Sequence, residues 1–219
     1  MTNKAKILDF IEKRGRATSR EITKEIGVSR QYINLVIADL AAENKVIKLG
    51  RTRWAFYATP AYLSKHPEII PTSFKKRYAN RSLEEHRVFL EIEDKLPQLK
   101  ELPENVRSIF IFAFSEMFNN AIEHSVSKVI FAEVMLRDGF LSFVVNDSGI
   151  GVFRNVMKKR NLKSEIEAIQ DLLKGKTTTM PRTHSGEGIF FTSKAGDVFM
   201  LDSFGQMLTI DNLKNDITA

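Results

Sequence analysis

The chain has 219 residues, 43% of them apolar, which is ample for one or two folded cores and excludes a disordered protein. Cysteine is absent, so structural disulfides, thiol nucleophiles and thiolate metal sites are excluded, and a reducing compartment is expected. The net charge of +6 sits in the first 60 residues, where 12 Lys/Arg face 6 Asp/Glu; residues 61–219 hold 21 of each, so a basic module suited to a polyanion precedes a neutral body.

Met1 to Lys6 is basic, but the apolar run behind it is broken by Asp9, Glu12 and Lys13, unlike a signal peptide. No uncharged stretch approaches the ~18 apolar residues that span a bilayer, so a cytoplasmic protein without membrane contact is expected. Lys4 to Gly15 places Ile7, Leu8, Phe10 and Ile11 on one side of a helix that ends at a glycine. Thr18-Ser19-Arg20-Glu21 offers a hydroxyl cap with an acid behind it, starting a second helix through Ile22 and Ile26 to Gly27. Val28-Ser29 begins a third, with Ile33, Val36, Ile37 and Leu40 facing inward, and the pair reads as a helix-turn-helix. Lys45 to Leu49, a turn at Gly50 to Arg53, and Trp54 to Tyr57 read as a two-stranded wing.

Residues 4–58 thus resemble the winged-helix domains of bacterial regulators. In that geometry the start of the third helix enters the major groove, making Ser29, Arg30, Gln31, Tyr32 and Asn34 the candidate DNA contacts, with Arg51 and Arg53 of the wing reaching backbone or minor groove. Leu35 and Asp39 depart from the polar or basic outward positions of DNA readers, and a winged helix used for protein contacts or dimerisation is the alternative. Residues 59–80, with Pro60, Pro67 and Pro71 and the basic run Lys75-Lys76-Arg77, read as a linker between domains 1–58 and 81–219.

Ser82 to Leu96 is helical, and Pro103-Glu104 opens a second helix to about Ser125. The first half of that helix is apolar nearly all round, so it is predicted to be buried. Glu116, Asn120 and Glu123 share one stripe of it, and an acid and an amide four residues apart can reach a single metal and water, or else pair with each other in the core. Lys128 to Arg137 and Phe140 to Asn146 form a hairpin at Asp138-Gly139. The second strand delivers Asp147, Gly149 and Gly151, an acceptor followed by bare backbone against which a planar ring can lie. A long polar stretch follows. Lys174 to Pro181 suits a lid whose Lys176, Thr177 and Thr178 close on phosphate oxygens, or an ordinary surface loop. Gly186-Glu187-Gly188-Ile189 then enters a helix and offers unpaired N–H groups to phosphate, before two last strands, Asp197 to Ser203 and Gln206 to Asp211. Together these fragments read as an ATP site.

Residues 82–212 resemble the GHKL superfamily, the ATP-binding fold of gyrase, heat-shock chaperones, histidine kinases and mismatch-repair ATPases. Ser115 to Ser125 is similar to its N box, Asn146 to Gly151 to its first glycine box, Gly186 to Ile189 to its second, and Gly205 to Ile210 to its closing strand. The resemblance implies that Asn120 coordinates Mg2+, Asp147 binds the adenine amino group and Gly149 and Gly151 shape the adenine pocket. It also implies that Glu116 polarises the attacking water, that Gly186, Glu187, Gly188 and Ile189 hold phosphates, and that Thr209 lies in a nucleotide-binding strand. Glu116 to Ser125, Lys174 to Thr179 and His184 to Ser193 further resemble an uncharacterised bacterial group that joins a helix-turn-helix to this ATPase fold, often with a C-terminal STAS-like domain. A shorter member or a fragment is therefore expected.

The expected fold is α+β: a winged helix of three helices plus a β-wing, followed by a Bergerat-type α/β sandwich whose mixed, largely antiparallel sheet carries helices on one face. The expected function is an ATP-binding regulator, a slow Mg-dependent ATPase whose nucleotide state controls a DNA-binding winged helix, with a protein partner or homodimer also in view. The alternatives are a histidine kinase, although Glu84 to Val88 around His86 lacks the usual Thr-Pro, an anti-sigma-like protein kinase, and an ATP-binding module without turnover.

Overall fold

A computed structural model of the chain describes residues 2–50, 55–175 and 188–219. It is a mixed α/β molecule with small antiparallel sheets, and it divides into two compact units, Met1–Pro71 and Thr72–Ala219. No helix among the described residues is long and apolar enough to cross a membrane.

In the N-terminal unit, α1 (Asn3–Arg14) ends at Gly15, whose φ of 78° suits a residue without Cβ. The strand β1 (Arg16–Thr18) leads into α2 (Ser19–Ile26) through a complete capping box: the Glu21 amide donates to the Thr18 hydroxyl, and the Thr18 amide donates to the Glu21 carboxylate at 2.7 Å. Gly27 closes α2 in the left-handed region, and Ser29 caps α3 (Arg30–Ala42). Ile7, Ile11, Ile22, Ile33, Val36, Ile37 and Leu40 meet Val46 and Tyr57 in one core. The expected hairpin pairs β2 (Ile47–Leu49) with β3 (Phe56–Ala58), and β3 also pairs with β1. Three-residue β1 is too short to show a period in the sequence. Arg51, Arg53 and Trp54 lie outside the described residues.

The segment 59–80 is not a linker. Pro60 stands at the first turn of α4 (Pro60–Lys65), where its missing N–H costs nothing, and the Thr59 hydroxyl accepts the Tyr62 amide. The unit boundary falls at Pro71, and Ser73–Ala79 is a strand, β4. Its period of two, Phe74 and Tyr78 in, Lys75 and Arg77 out, is masked in the sequence by three successive cations. Lys76 shares the inner parity, and its ammonium lies over the Tyr78 ring and bonds the Glu91 carboxylate at 2.8 Å.

In the C-terminal unit β4 pairs with β5 (Val129–Arg137), which pairs with β6 (Phe140–Asp147) through the expected Asp138-Gly139 turn, both residues at positive φ. The inner face of this sheet packs on α5 (Glu85–Lys95) and α6 (Glu104–His124). Phe110, Phe114 and Phe118 recur at helical spacing along α6, with Phe114 and Phe118 stacked at 5.3 Å and Phe143 of β6 edge-on to Phe114 at 5.6 Å. Ile109 and Phe112 stay exposed, so α6 is buried along one side and not all round.

A second core joins α7 (Val152–Arg160) and α8 (Glu165–Leu173) to a sheet of β7 (Val198–Ser203), β8 (Gln206–Asp211) and β9 (Asp216–Thr218), through Phe153, Val156, Ile169, Leu172, Phe199, Leu208 and Ile210. The two helices lie in the stretch read as polar, because their apolar residues are sparse. A single mixed sheet does not form: every pairing among the described strands is antiparallel, in two separate three-stranded sheets of this unit. Two tight hairpins, at Asp138-Gly139 and at Phe204-Gly205, fix antiparallel neighbours and leave β6 and β7 as outer strands.

Phe114→Ala should destabilise the C-terminal unit by about 3–5 kcal/mol, against less than ~0.5 kcal/mol for exposed Leu90→Ala. Urea unfolding followed by far-UV circular dichroism measures both.

Candidate functional site

A cleft of about 2110 Å3 opens in the C-terminal unit between α6, β6, the start of α7, α9 (Gly188–Ala195) and β7. The sequence-distant candidates Glu116, Asn120, Asp147, Gly149, Gly151, Gly188 and Ile189 all line it. Glu116 and Asn120 stand one turn apart on α6, at the border where that helix leaves its aromatic core.

Asp147 is placed by the corner after α6. The Ser125 carbonyl accepts the Ile150 amide at 2.8 Å, and the Ser127 hydroxyl accepts the Ser148 amide at 3.2 Å. Gly149 passes so close to the Ser125 carbonyl that any Cβ would collide with it. The Gly149 amide donates to Oδ1 of Asp147 at 2.8 Å, which leaves Oδ2 for a ligand. Gly151 caps α7 at φ 78°, and a Cβ there would meet the Ser203 hydroxyl and the Phe204 ring.

Gly188, the first residue of α9, lies against the Glu116 carboxylate with no room for a Cβ between them. A carboxylate is favoured at that end of a helix, where amide N–H groups are unpaired. Three buried polar atoms lining the cleft have no hydrogen-bond partner among the described residues: Asn120 Nδ2, Thr192 Oγ1 of α9 and Ser203 Oγ of β7. An unpaired buried polar group costs about 1–3 kcal/mol, so these three atoms favour a polar partner at the cleft wall. No group of three His, Asp or Glu side chains among the described residues is placed to hold a metal ion.

Thr209 is not part of the cleft wall. It pairs with Met200 and Thr218, on the strand parity opposite to buried Leu208 and Ile210. Lys176, Thr177, Thr178, Gly186 and Glu187 lie outside the described residues. Thr192, Ser203 and buried Asn155 line the cleft without having been singled out in the sequence. The signal that could have found Thr192 is its place one turn beyond Gly188; Ser203 and Asn155 belong to no motif.

In the N-terminal unit Ser29, Arg30, Gln31, Tyr32 and Asn34 are all exposed at the start of α3. The Ser29 hydroxyl accepts the Tyr32 amide at 3.2 Å and keeps its proton to donate. The acids at the other end of α3 are neutralised: Lys4 lies 3.8 Å from Asp39 and 2.7 Å from Glu43. Hydrogen bonds from Lys4 and Lys45 hold the Glu43 carboxyl down at about 2. Leu35 is 63% exposed, so the outward face of α3 is not wholly polar. No protein-family model, curated protein or solved structure matches the chain.

Gly149→Ala drives a methyl into a backbone carbonyl and should cost about 1–3 kcal/mol of stability. Gly188→Ala meets only the end of a flexible side chain and should cost less than ~1 kcal/mol. Thermal unfolding of the two variants beside the wild type checks the order.

Proposed function

We propose that the protein is an ATP-binding regulator, with a GHKL-type (Bergerat) nucleotide site in its C-terminal unit and a DNA-binding winged helix in its N-terminal unit. One observation carries the reading: Glu116 and Asn120, Asp147 with its two glycines, and Gly188, far apart in sequence, line one cleft that also holds three buried unpartnered polar atoms.

Oδ2 of Asp147 accepts a hydrogen bond from the exocyclic amino group of adenine, while Gly149 and Gly151 let the ring approach bare backbone. The first turn of α9 directs N–H groups at the phosphates. Mg2+, when bound, neutralises phosphate charge. Asn120 fits it, since its amide is buried and incompletely paired in the cleft and can turn its oxygen to the ion. With no carboxylate cluster nearby, most ligands of the ion would be phosphate and water oxygens. Glu116 orients a water and takes its proton, which gives slow ATP hydrolysis. Lys176, Thr177 and Thr178 belong to the lid of this reading.

On the DNA side, the start of α3 presents Arg30, Gln31 and Asn34, side chains that pair with guanine and adenine edges. Nucleotide changes DNA affinity only as far as ATP binds the DNA-competent state better or worse than the other.

Equilibrium dialysis with labelled ATP should show Asp147→Asn binding on the order of 10- to 100-fold more weakly, the worth of a charge-assisted hydrogen bond. Glu116→Ala should keep binding and lose phosphate release; equal binding by Asp147→Asn would remove the adenine contact. In a gel-shift titration the wild type should bind duplex DNA with steep salt dependence, and Arg30→Ala should weaken it by about 1–3 kcal/mol. No shift at low salt would end the DNA reading.

A further inference from the structure

Two hairpins of the C-terminal unit make the same turn with different residues. Asp138-Gly139 joins β5 to β6 with φ of 53° and 80°, and Phe204-Gly205 joins β7 to β8 with φ of 54° and 82°. Gly, Asn and Asp suit the first central position of such a turn, because they tolerate the left-handed region; a bulky aromatic there is strained. Phe204 is also 56% exposed and belongs to none of the hydrophobic cores. It therefore contributes neither turn propensity nor core packing, and a strained side chain of that kind points to a function.

The surroundings of the ring are well defined. The Arg154 guanidinium lies over it at 3.9 Å from the centroid, and Nε of Arg154 donates to the Glu165 carboxylate at 2.9 Å. Helices α7 and α8 thus fix the cation, and the cation holds the ring. Cδ2 and Cε2 of Phe204 lie beside Gly151, where a Cβ would strike them. Phe204 also lines the cleft, with Asp147, Gly149 and Gly151. The guanidinium can take only one face of the ring, and more than half of the residue stays open.

We infer that Phe204 is the stacking platform for the base of the bound nucleotide. The inference rests on the nucleotide reading above and adds to it a residue that none of the motifs contains. Recognition is divided by chemistry. The Asp147 carboxylate bonds an amino group at the edge of the base, whereas Phe204 binds the plane of the base through dispersion and offset stacking. A base bonded to Asp147 and laid along Gly149 and Gly151 reaches the Phe204 ring, because that ring stands beside Gly151. Arg154 behind the ring keeps it from swinging into solvent, a restraint that a side chain at a hairpin tip otherwise lacks.

Equilibrium dialysis of the full chain with labelled ATP, paired with thermal unfolding, tests the assignment. Phe204→Ala and Phe204→Asn should each weaken ATP binding on the order of tenfold, the effect of removing an aromatic stack, and Phe204→Tyr should keep it. Phe204→Asn should melt at the wild-type temperature or above it, since Asn suits the turn. Wild-type affinity in both Phe204→Ala and Phe204→Asn, with weaker binding by Asp147→Asn, would overturn the stack and leave the nucleotide reading intact. No ATP binding by the wild type would overturn both. Melting of Phe204→Asn several degrees below the wild type would assign the ring to packing and overturn the inference as well.

Discussion

The hydrogen bond from the Ile150 amide to the Ser125 carbonyl, at 2.8 Å, joins the end of α6 to the turn after β6, and the cleft depends on it. It holds only because residue 149 is glycine, since any side chain there would strike the same carbonyl. The contact fixes Asp147 relative to Glu116 and Asn120, which α6 already carries in register. Gly151 continues the run at positive φ and brings the end of β7 against the same turn. Two glycines thus set three elements around one space, and the acid at the end of β6 gains a fixed orientation from the Gly149 amide.

Helix α6 answers to two demands along its length. Its phenylalanines form the centre of the larger core, while one turn of the same helix carries an acid and an amide on the cleft side. Rigid packing holds those polar groups in place, which suits a site whose geometry must survive without ligand. The Glu116 carboxylate rests against Gly188 at the start of α9, where unpaired amides would also attract phosphate. Under the proposed function the carboxylate and a phosphate compete for that helix end. Ligand entry then frees Glu116 toward water, linking binding to the placement of the general base.

Local chemistry made much of the fold legible. The Thr18–Glu21 capping box, the glycines after α1 and α2 and the Asp138-Gly139 turn each specify a boundary through one backbone requirement, and each boundary lies where the sequence puts it. Strand β4 was hidden because Lys76 occupies an inner position by sending its ammonium to Glu91 and the Tyr78 ring, which no hydropathy pattern encodes. Helix α4 was hidden because Pro60 reads as a breaker and acts as a first-turn residue. The cleft residues of the three motifs were legible because their residue types are unusual on apolar elements. Thr209 does not line the cleft because parity along a strand depends on which face is buried, and that is decided by α7 and α8. Thr192 and Ser203 carry no pattern; only the fold shows them unpaired.

The separation of the two C-terminal sheets has its own physical consequence. Outer strands present unpaired amides and carbonyls, and proteins ordinarily shield them. Here β6 and β7 turn those edges toward the cleft, where a ligand or water can reach them, and not toward open surface. The apolar side chains of Val144, Val198 and Met200 beside those edges are exposed and line the cleft as well. Hairpin geometry therefore leaves between the sheets a cleft whose walls combine unpaired strand edges with apolar side chains.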